Sequence, residues 1–382
     1  MHELVFVVKL SKFCNLRCAY CYEHRELHVR DRMHPGTLQK LFAGVDAFGD
    51  HLATLGITPE FSFVWHGGEP LLLPKEFYRH IASTQEQNIH RHPYRNSVQT
   101  NLYGVKRDSL DYVLTLNWEL GVSIDFADGV RRNVGGRESN GRVIAAAEAL
   151  RARGHDFGVI SVLGNHNRGR LTEAYDWIVE NAVGWRILPM FEGGPAEATS
   201  MFRLPAAEVA RTLIELLTKR AESERHLPVE PLDTYLRAAV LRILDQPGAG
   251  DPARTLLDNI YVVNVNGDVF LRPFAYDPAR RLGNLATSSI LEMTQAGPYH
   301  SCQDWIVARK RHHCLSCDHV RFCDSTPMHE HGSVVCEAGK TACGVPRLTI
   351  SAIISELAAA GVDAGTVGGW AREWLMQSPR AA

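Results

Sequence analysis

The nine cysteines of this 382-residue chain stand at positions 14, 18 and 21 and then at 302, 314, 317, 323, 336 and 343, with none in between. Cysteines buried only for packing would scatter. An odd number in a chain without an export signal argues against a disulfide framework, because the cytosol keeps thiols reduced. Grouped thiols there bind metal or do redox chemistry. Two metal sites, one towards each end of the chain, are the first expectation. The compartment follows from the N-terminus: Met1-His2-Glu3 is not basic and the apolar stretch stops at Val8. That is too short for a signal peptide, so the expected location is cytoplasmic. No run of 18 apolar residues occurs, so no membrane partner is expected.

Strand-like and helix-like segments alternate over the first two-thirds of the sequence. Residues 4–9, 61–65, 97–100, 120–124, 157–163 and 185–190 read as strands. Residues 38–55, 107–116, 141–153 and 171–181 read as helices between them. Such alternation predicts βα units around a parallel sheet. Six units suit a partial barrel, whose chemistry sits on loops at the strands' C-terminal ends. Residues 204–245 read as helical throughout. The breaker run 246–252 (Gln-Pro-Gly-Ala-Gly-Asp-Pro) marks a domain boundary. Residues 260–265, Asn266-Gly267 and 268–271 read as a hairpin with a type I′ turn. A helix over 348–360 closes the cysteine-rich part.

The first triplet, Cys14-Asn15-Leu16-Arg17-Cys18-Ala19-Tyr20-Cys21, directly follows the first strand. Thiolates are the usual protein ligands of iron–sulfur clusters. Three of them on a four-iron cluster leave one iron open to a substrate or cofactor. Zinc prefers four closed ligands, and with His24 a Cys₃His zinc site remains the alternative.

This spacing, with Tyr20 before the last cysteine, resembles the radical S-adenosylmethionine (SAM) superfamily, and further elements appear in that family's order. Gly67-Gly68-Glu69-Pro70 resembles the motif that holds the SAM amino group. Gln99-Thr100-Asn101 and Gly121-Val122-Ser123-Ile124-Asp125 resemble the segments after the third and fourth strands, the latter meeting the ribose. Arg131 and Arg132 fall where the family carries an arginine near the SAM carboxylate; Arg132 is the expected contact. The resemblance covers about residues 4–200. It implies an α/β fold, a partial (β/α)6 TIM-like barrel. The implied cofactors are SAM and a 4Fe–4S cluster on Cys14, Cys18 and Cys21. The residues facing SAM would be Tyr20, Gly67, Gly68, Glu69, Gln99, Asn101, Ser123, Asp125 and Arg132.

Cys314-x2-Cys317-x5-Cys323 resembles the central motif of the SPASM extension of radical SAM peptide-modifying enzymes, so a cysteine-rich α+β SPASM/Twitch-like module is expected after the barrel. The usual extension holds two auxiliary clusters. Here Arg272-Pro273 replaces the cysteine after the hairpin, Pro327 replaces a later one, and those expected before the hairpin are missing. One auxiliary 4Fe–4S cluster is therefore expected, on Cys314, Cys317, Cys323 and Cys336, with Cys343 as the alternative fourth ligand. Cys302 is expected to be a buried small residue. Zinc, with His312, His313, His319, His329 or His331, remains an alternative at this site. The resulting division is 1–203 barrel, 204–250 helical bridge, 251–345 auxiliary module and 346–382 helical tail.

The resemblance implies a peptide or protein maturase. A 5′-deoxyadenosyl radical abstracts hydrogen, and cross-linking or oxidation follows. An electron donor such as flavodoxin or ferredoxin is implied. Arg272-Pro273 stands where sulfatase maturases carry an aspartate base, which weighs against that activity. A small-molecule substrate, a sugar or an amino acid, is the alternative enzyme reading. No leader-binding domain is expected before Leu4. A peptide would add as a strand to the edge at 260–271, beside a lip at 189–194. A zinc module binding nucleic acid through Arg309-Lys310-Arg311 is the non-enzyme alternative. The net charge of −2 weighs against any nucleic-acid partner.

Overall fold

The computed structural model describes residues 2–190, 201–246, 259–275, 277–323, 334–337, 340–363 and 365–366. The breaker run from 247 onward, most of the 189–194 lip, Pro327, His329 and His331 lie outside the described residues. Contacts group the chain into two compact units. One comprises residues 1–124, 128–159 and 258–303; the other comprises 125–127, 160–257 and 304–382. This grouping differs from the four consecutive segments drawn from the sequence.

The first unit is built on β1 (His2–Ser11), β3 (Pro59–Gly67), β4 (Tyr94–Thr100) and β5 (Glu119–Ser123), side by side and parallel. Period two puts Leu4, Phe6, Val8 and Leu10 on one face of β1, all buried. Phe6 meets Phe61, Phe63 and Tyr261 there, and Phe42 from helix Pro35–Thr54 sits edge-on to Phe63 and Trp65. This aromatic seam anchors the strands whose far ends carry the candidate site.

Two of the features beyond the sequence reading lie in this unit. Helix Lys75–Asn88 buries Phe77, Tyr78, Ile81, Thr84 and Gln85 at helical spacing. Three-residue strands β2 (Leu16–Cys18) and β6 (Arg131–Asn133) pair antiparallel, with Cys18 opposite Arg131. Neither strand is long enough to show a period.

The hairpin is β10 (Ile260–Val263) and β11 (Asp268–Leu271). Its turn is not type I′, which needs positive φ at both central residues. Here Gly267 alone is left-handed, at +85°, and its N–H donates to the Asn264 carbonyl. Nor does β10 offer a free edge. It pairs in parallel with β1 on one side and with β11 on the other, so Val263 lies between Val8 and Val269. Strand β12 (Gly283–Asn284) pairs β11 at Asp268 and Val269. Strand addition by a peptide at β10 is ruled out by these pairings.

In the second unit, residues 204–245 are not one helical stretch. Helices Ala206–Ala221 and Leu232–Ile243 are separated by the short strand Val229–Glu230, because Pro228 and Pro231 cannot donate to a helix ladder. Helix Val345–Ala359 packs on both. The other elements agree with the sequence reading to within a few residues, and helix Leu171–Asn181 has the expected bounds. Among the described residues no helix is long and apolar enough to cross a membrane.

Candidate functional site

The N-terminal cysteine loop is fixed to the sheet by backbone contacts that only glycine permits. Gly68 N–H donates to the Ser11 carbonyl (2.7 Å) and Glu69 N–H to the Phe13 carbonyl (2.9 Å). A Cβ on Gly68 would stand 2.3 Å from the Phe13 oxygen and 2.5 Å from that of Lys12. Gly67 is left-handed at φ +130°, and a Cβ there would lie 2.3 Å from the Ser11 oxygen. The close approach that the glycine pair allows is thus to the strand leading into Cys14. The loop is closed further on: Cys14 N–H donates to Leu27 O, Ala19 N–H to Val130 O, and Arg17 to the carbonyls of Cys14 and Leu16.

Around this loop the expected SAM-facing residues form a network. Glu69 is 1% exposed and its carboxylate accepts three bonds, from Leu71 N–H (2.9 Å), Thr100 Oγ1 (2.8 Å) and Asn101 N–H (2.7 Å). Burial pushes Glu69 up to about 7, against the opposing pull of those donors and of Arg131. Its carboxylate ties the β3 loop to the end of β4. Asn101 donates to Asn15 Oδ1 (3.0 Å), lies 3.5 Å from Cys14 Sγ, and accepts from Tyr103 N–H. Gln99 donates to Ser123 Oγ (2.9 Å), and Gly121 leaves the room for it. Asp125 is fully buried; its Oδ1 accepts from Val162 N–H (2.9 Å) and its carbonyl from Asn167.

The two arginines separate cleanly. Arg132, the expected contact, is half-exposed and pairs with Glu138 at 2.6 Å. Arg131 is 5% exposed, lies 3.4 Å from the Tyr20 hydroxyl, and its charge is felt at both Cys21 and Glu69. The structure therefore turns the neighbouring arginine inward, because the β2–β6 register alternates faces.

Burial first, then Glu69, then Cys18 and Cys21 push Cys14 up to about 12. Burial first, then Cys18, then the charge of Glu23 push Cys21 up to about 12. Three adjacent soft sulfur donors of this kind fit an iron–sulfur cluster, whose iron takes the place of the protons. Among the described residues no trio of Cys, His, Asp or Glu side chains is already closed up as a metal site.

Beside the loop lies a cavity of about 460 Å³, lined by Lys9, Ser11, Lys12, Tyr22, Glu23 and the 264–266 turn among others. Lys9 is buried, ion-pairs with Glu23 and lies over the Tyr22 ring. The sequence reading passed over this pair, although a lysine inside the apolar run Leu4-Val5-Phe6-Val7-Val8-Lys9-Leu10 was the available signal.

At the other end of the chain, Cys314 and Cys343 are buried against one another and Val320. Burial first, then Cys317, pushes Cys314 up to about 11, while Lys310 pulls it down. Cys343 is pushed up to about 12 by burial, with Cys314 and Cys317 adding and Arg347 opposing. Cys323 N–H donates to the His319 carbonyl. Cys336 pairs by backbone with Thr341, two register positions from the Val334–Cys343 pair. The alternative ligand, Cys343, is gathered with Cys314 and Cys317. His319 directs Nε2 at Ser351 Oγ, 2.8 Å away. Cys302 is buried, its sulfur 3.8 Å from the Arg280 carbonyl. The run 309–311 presents no basic patch: Lys310 is 1% exposed and Arg309 lies over Trp305, leaving Arg311 exposed.

Residues 8–178 match the radical SAM superfamily. A serine-type anaerobic sulfatase-maturating enzyme of Bacteroides thetaiotaomicron is 24% identical over 340 residues, 84% of this chain and 81% of the relative. A cysteine-type anaerobic sulfatase-maturating enzyme of Clostridium perfringens is 20% identical over 341 residues, 85% of this chain and 88% of the relative. Among solved structures, native anSMEcpe with bound AdoMet and Cp18Cys peptide aligns with a TM-score of 0.71 at 18% identity, over 94% of this chain and 98% of that one. Streptococcus suis SuiB bound to S-adenosylmethionine aligns at 0.59 and 14% identity, over 85% and 72%. At such identities the structures carry the fold, and it is the expected one: α/β, a partial (β/α)6 barrel with a SPASM/Twitch-like module. The chain carries a radical SAM domain, and it is an enzyme homologous to the anaerobic sulfatase-maturating enzymes, with SAM and a 4Fe–4S cluster as cofactors.

Proposed function

We propose that this enzyme modifies a peptide or protein by hydrogen abstraction from carbon, followed by cross-linking or oxidation. The observation that carries the reading is homology to enzymes that mature sulfatases, extending over 84% of the chain rather than over the radical SAM domain alone. Cys14, Cys18 and Cys21 would hold the cluster that binds SAM. Together the cluster and SAM supply a 5′-deoxyadenosyl radical. The chain's own task is then to fix the loop and SAM. The Gly67–Gly68 backbone sets the loop's height over the sheet, Glu69 from the β3 loop and Asn101 from the end of β4 brace it, and Gln99 and Ser123 present a joined polar pair. Arg131, rather than Arg132, is positioned to meet an anionic group near Tyr20. The cavity beside Lys9 and Glu23 would take part of the substrate, with the Asn264–Asn266 turn offering hydrogen bonds to a peptide backbone.

A second reading, sulfatase-type oxidation of Cys or Ser, is favoured by the same relatives. Against it stands Arg272, which opens a short turn directly after β11. An arginine there does not serve as a carboxylate base. The test is anaerobic turnover of the reconstituted enzyme with SAM and a low-potential donor, flavodoxin, ferredoxin or dithionite. Substrates are deuterated Cys- and Ser-containing sulfatase peptides, peptides encoded beside the gene, and small sugars and amino acids. Deuterium carried into 5′-deoxyadenosine from a peptide supports the reading. Transfer only from a small molecule overturns it.

A further inference from the structure

We propose that Lys310, assisted by Arg309 and Arg347, raises the reduction potential of an auxiliary iron–sulfur cluster held by Cys314, Cys317, Cys323 and Cys343. The proposal rests on the reading that these cysteines hold such a cluster. Lys310 and Cys314 are four residues apart on helix Gly297–Cys314, and so lie on one face a single turn apart. Lys310 is 1% exposed, among the largest side chains wholly withdrawn from water. Its charge acts directly on Cys314, pulling that thiol down against the effect of burial. Arg347, in the first turn of helix Val345–Ala359, donates from Nε to the Cys343 carbonyl at 3.2 Å. Arg309 is half-buried over Trp305, with its charge in reach of Cys343. Arg347 also acts on Cys343 through its charge, as Lys310 does on Cys314.

Four thiolates on a 4Fe–4S core give a net charge of two minus. One-electron reduction makes it three minus, with no bond made or broken. Fixed cations in a low-dielectric setting stabilise the added charge, and net charge and surroundings are what set such potentials. The chain's own residues thus favour an electron acceptor at this end of the molecule.

The experiment is an EPR-monitored redox titration of the full-length, anaerobically reconstituted enzyme with dithionite, with iron counted in each sample. Lys310→Met and Lys310→Gln are compared with wild type and with Lys310→Arg. The expected result is a reduced-to-oxidised ratio of the auxiliary signal lowered about tenfold at fixed poise, or about 59 mV for a one-electron couple. Lys310→Arg should restore the wild-type midpoint. Should the Lys310 variants fail to load iron, Arg309→Gln and Arg347→Gln serve instead, with a smaller fall in the same direction. Loaded variants whose midpoint does not move overturn the proposal and leave the cluster reading intact. A wild-type protein with only one iron–sulfur signal overturns both.

Discussion

The two cysteine regions use the same sulfur chemistry in opposite electrostatic settings. At the N-terminal loop, carboxylates are the close charges: Glu69 acts on Cys14 and Glu23 on Cys21, with Arg131 as the counterweight. At the C-terminal group, the charges of described residues acting on Cys314 and Cys343 include the cations Lys310 and Arg347. The N-terminal loop is held by backbone, through the Gly67–Gly68 approach and short strands β2 and β6. The C-terminal sulfurs are held by a helix end and by strand β14 (Lys340–Cys343). Negative surroundings disfavour the extra electron of a reduced cluster and positive ones favour it. On the reading proposed above, the first region would give an electron away and the second would receive one.

The harshest way to break this comparison is to remove the donor side. Cys14→Ala, Cys18→Ala and Cys21→Ala together should lose about four irons per chain and all SAM cleavage, since these thiolates are the protein anchors proposed for that cluster. Iron analysis and chromatographic assay of 5′-deoxyadenosine check it. Persistent 5′-deoxyadenosine would remove the N-terminal loop from the chemistry. Next in size is the choice of ligand on the acceptor side. Cys343→Ser should lower a total of about eight irons to about four, while Cys336→Ser should keep about eight. The reverse pattern would restore Cys336 as the ligand. Zinc at about one per chain with about four irons would replace the auxiliary cluster by a closed zinc site.

A third effect tests whether backbone fit holds the donor loop. Gly68→Ala places a methyl 2.3 Å from the Phe13 oxygen, and the two segments cannot part without breaking the Gly68–Ser11 and Glu69–Phe13 backbone bonds. A loss of about 1–3 kcal/mol is expected, with reduced iron loading, read by thermal unfolding and iron content. Gly121→Ala is the control. Its methyl would meet Gln99 Oε1 at 2.2 Å, the mobile end of a side chain. It should leave the unfolding midpoint nearly unchanged while parting Gln99 from Ser123. Equal destabilisation by both would mean that the loop is no more constrained than the rest of the barrel.

The sequence showed most of the donor region because its parts are short and contiguous. A triplet after a strand, Gly-Gly-Glu-Pro and Gln-Thr-Asn each sit within a few residues, and each marks a strand end. What it hid depends on register. Arg131 and Arg132 are adjacent, and which one faces inward is decided by three residues of β6 opposite β2. Cys336 and Cys343 sit on two strands of one hairpin, where spacing from Cys323 does not choose between them. The parallel pairing of β10 with β1 joins residues 260–263 to 5–8, and no local pattern announces it. The bond from the Val162 N–H to the Asp125 carboxylate joins residues 37 positions apart, which no local pattern shows.

The smallest expected effect belongs to Arg132, and it sharpens the contrast with its neighbour. Arg132 pairs with Glu138 at 2.6 Å, but both side chains are well exposed. Exposed pairs contribute about 0–1 kcal/mol, so Arg132→Met should fall within that range at neutral pH. Glu138 is held below its ordinary range, first by the Gly129 N–H and then by Arg132. A carboxylate with a depressed folded pKa contributes stability above its unfolded value, and that contribution fades as pH falls through the folded one. The gap between wild type and Arg132→Met should therefore close on acidification below the ordinary glutamate range. Arg131→Met should behave differently. Its guanidinium is buried beside Tyr20 and acts on Cys21 and Glu69, so its removal should weaken SAM binding and iron retention, and not merely stability. Equilibrium dialysis with labelled SAM on both variants separates the two. If Arg132→Met weakens SAM binding and Arg131→Met does not, the inward residue has been misassigned and the electrostatics drawn for the donor region must be redrawn with it.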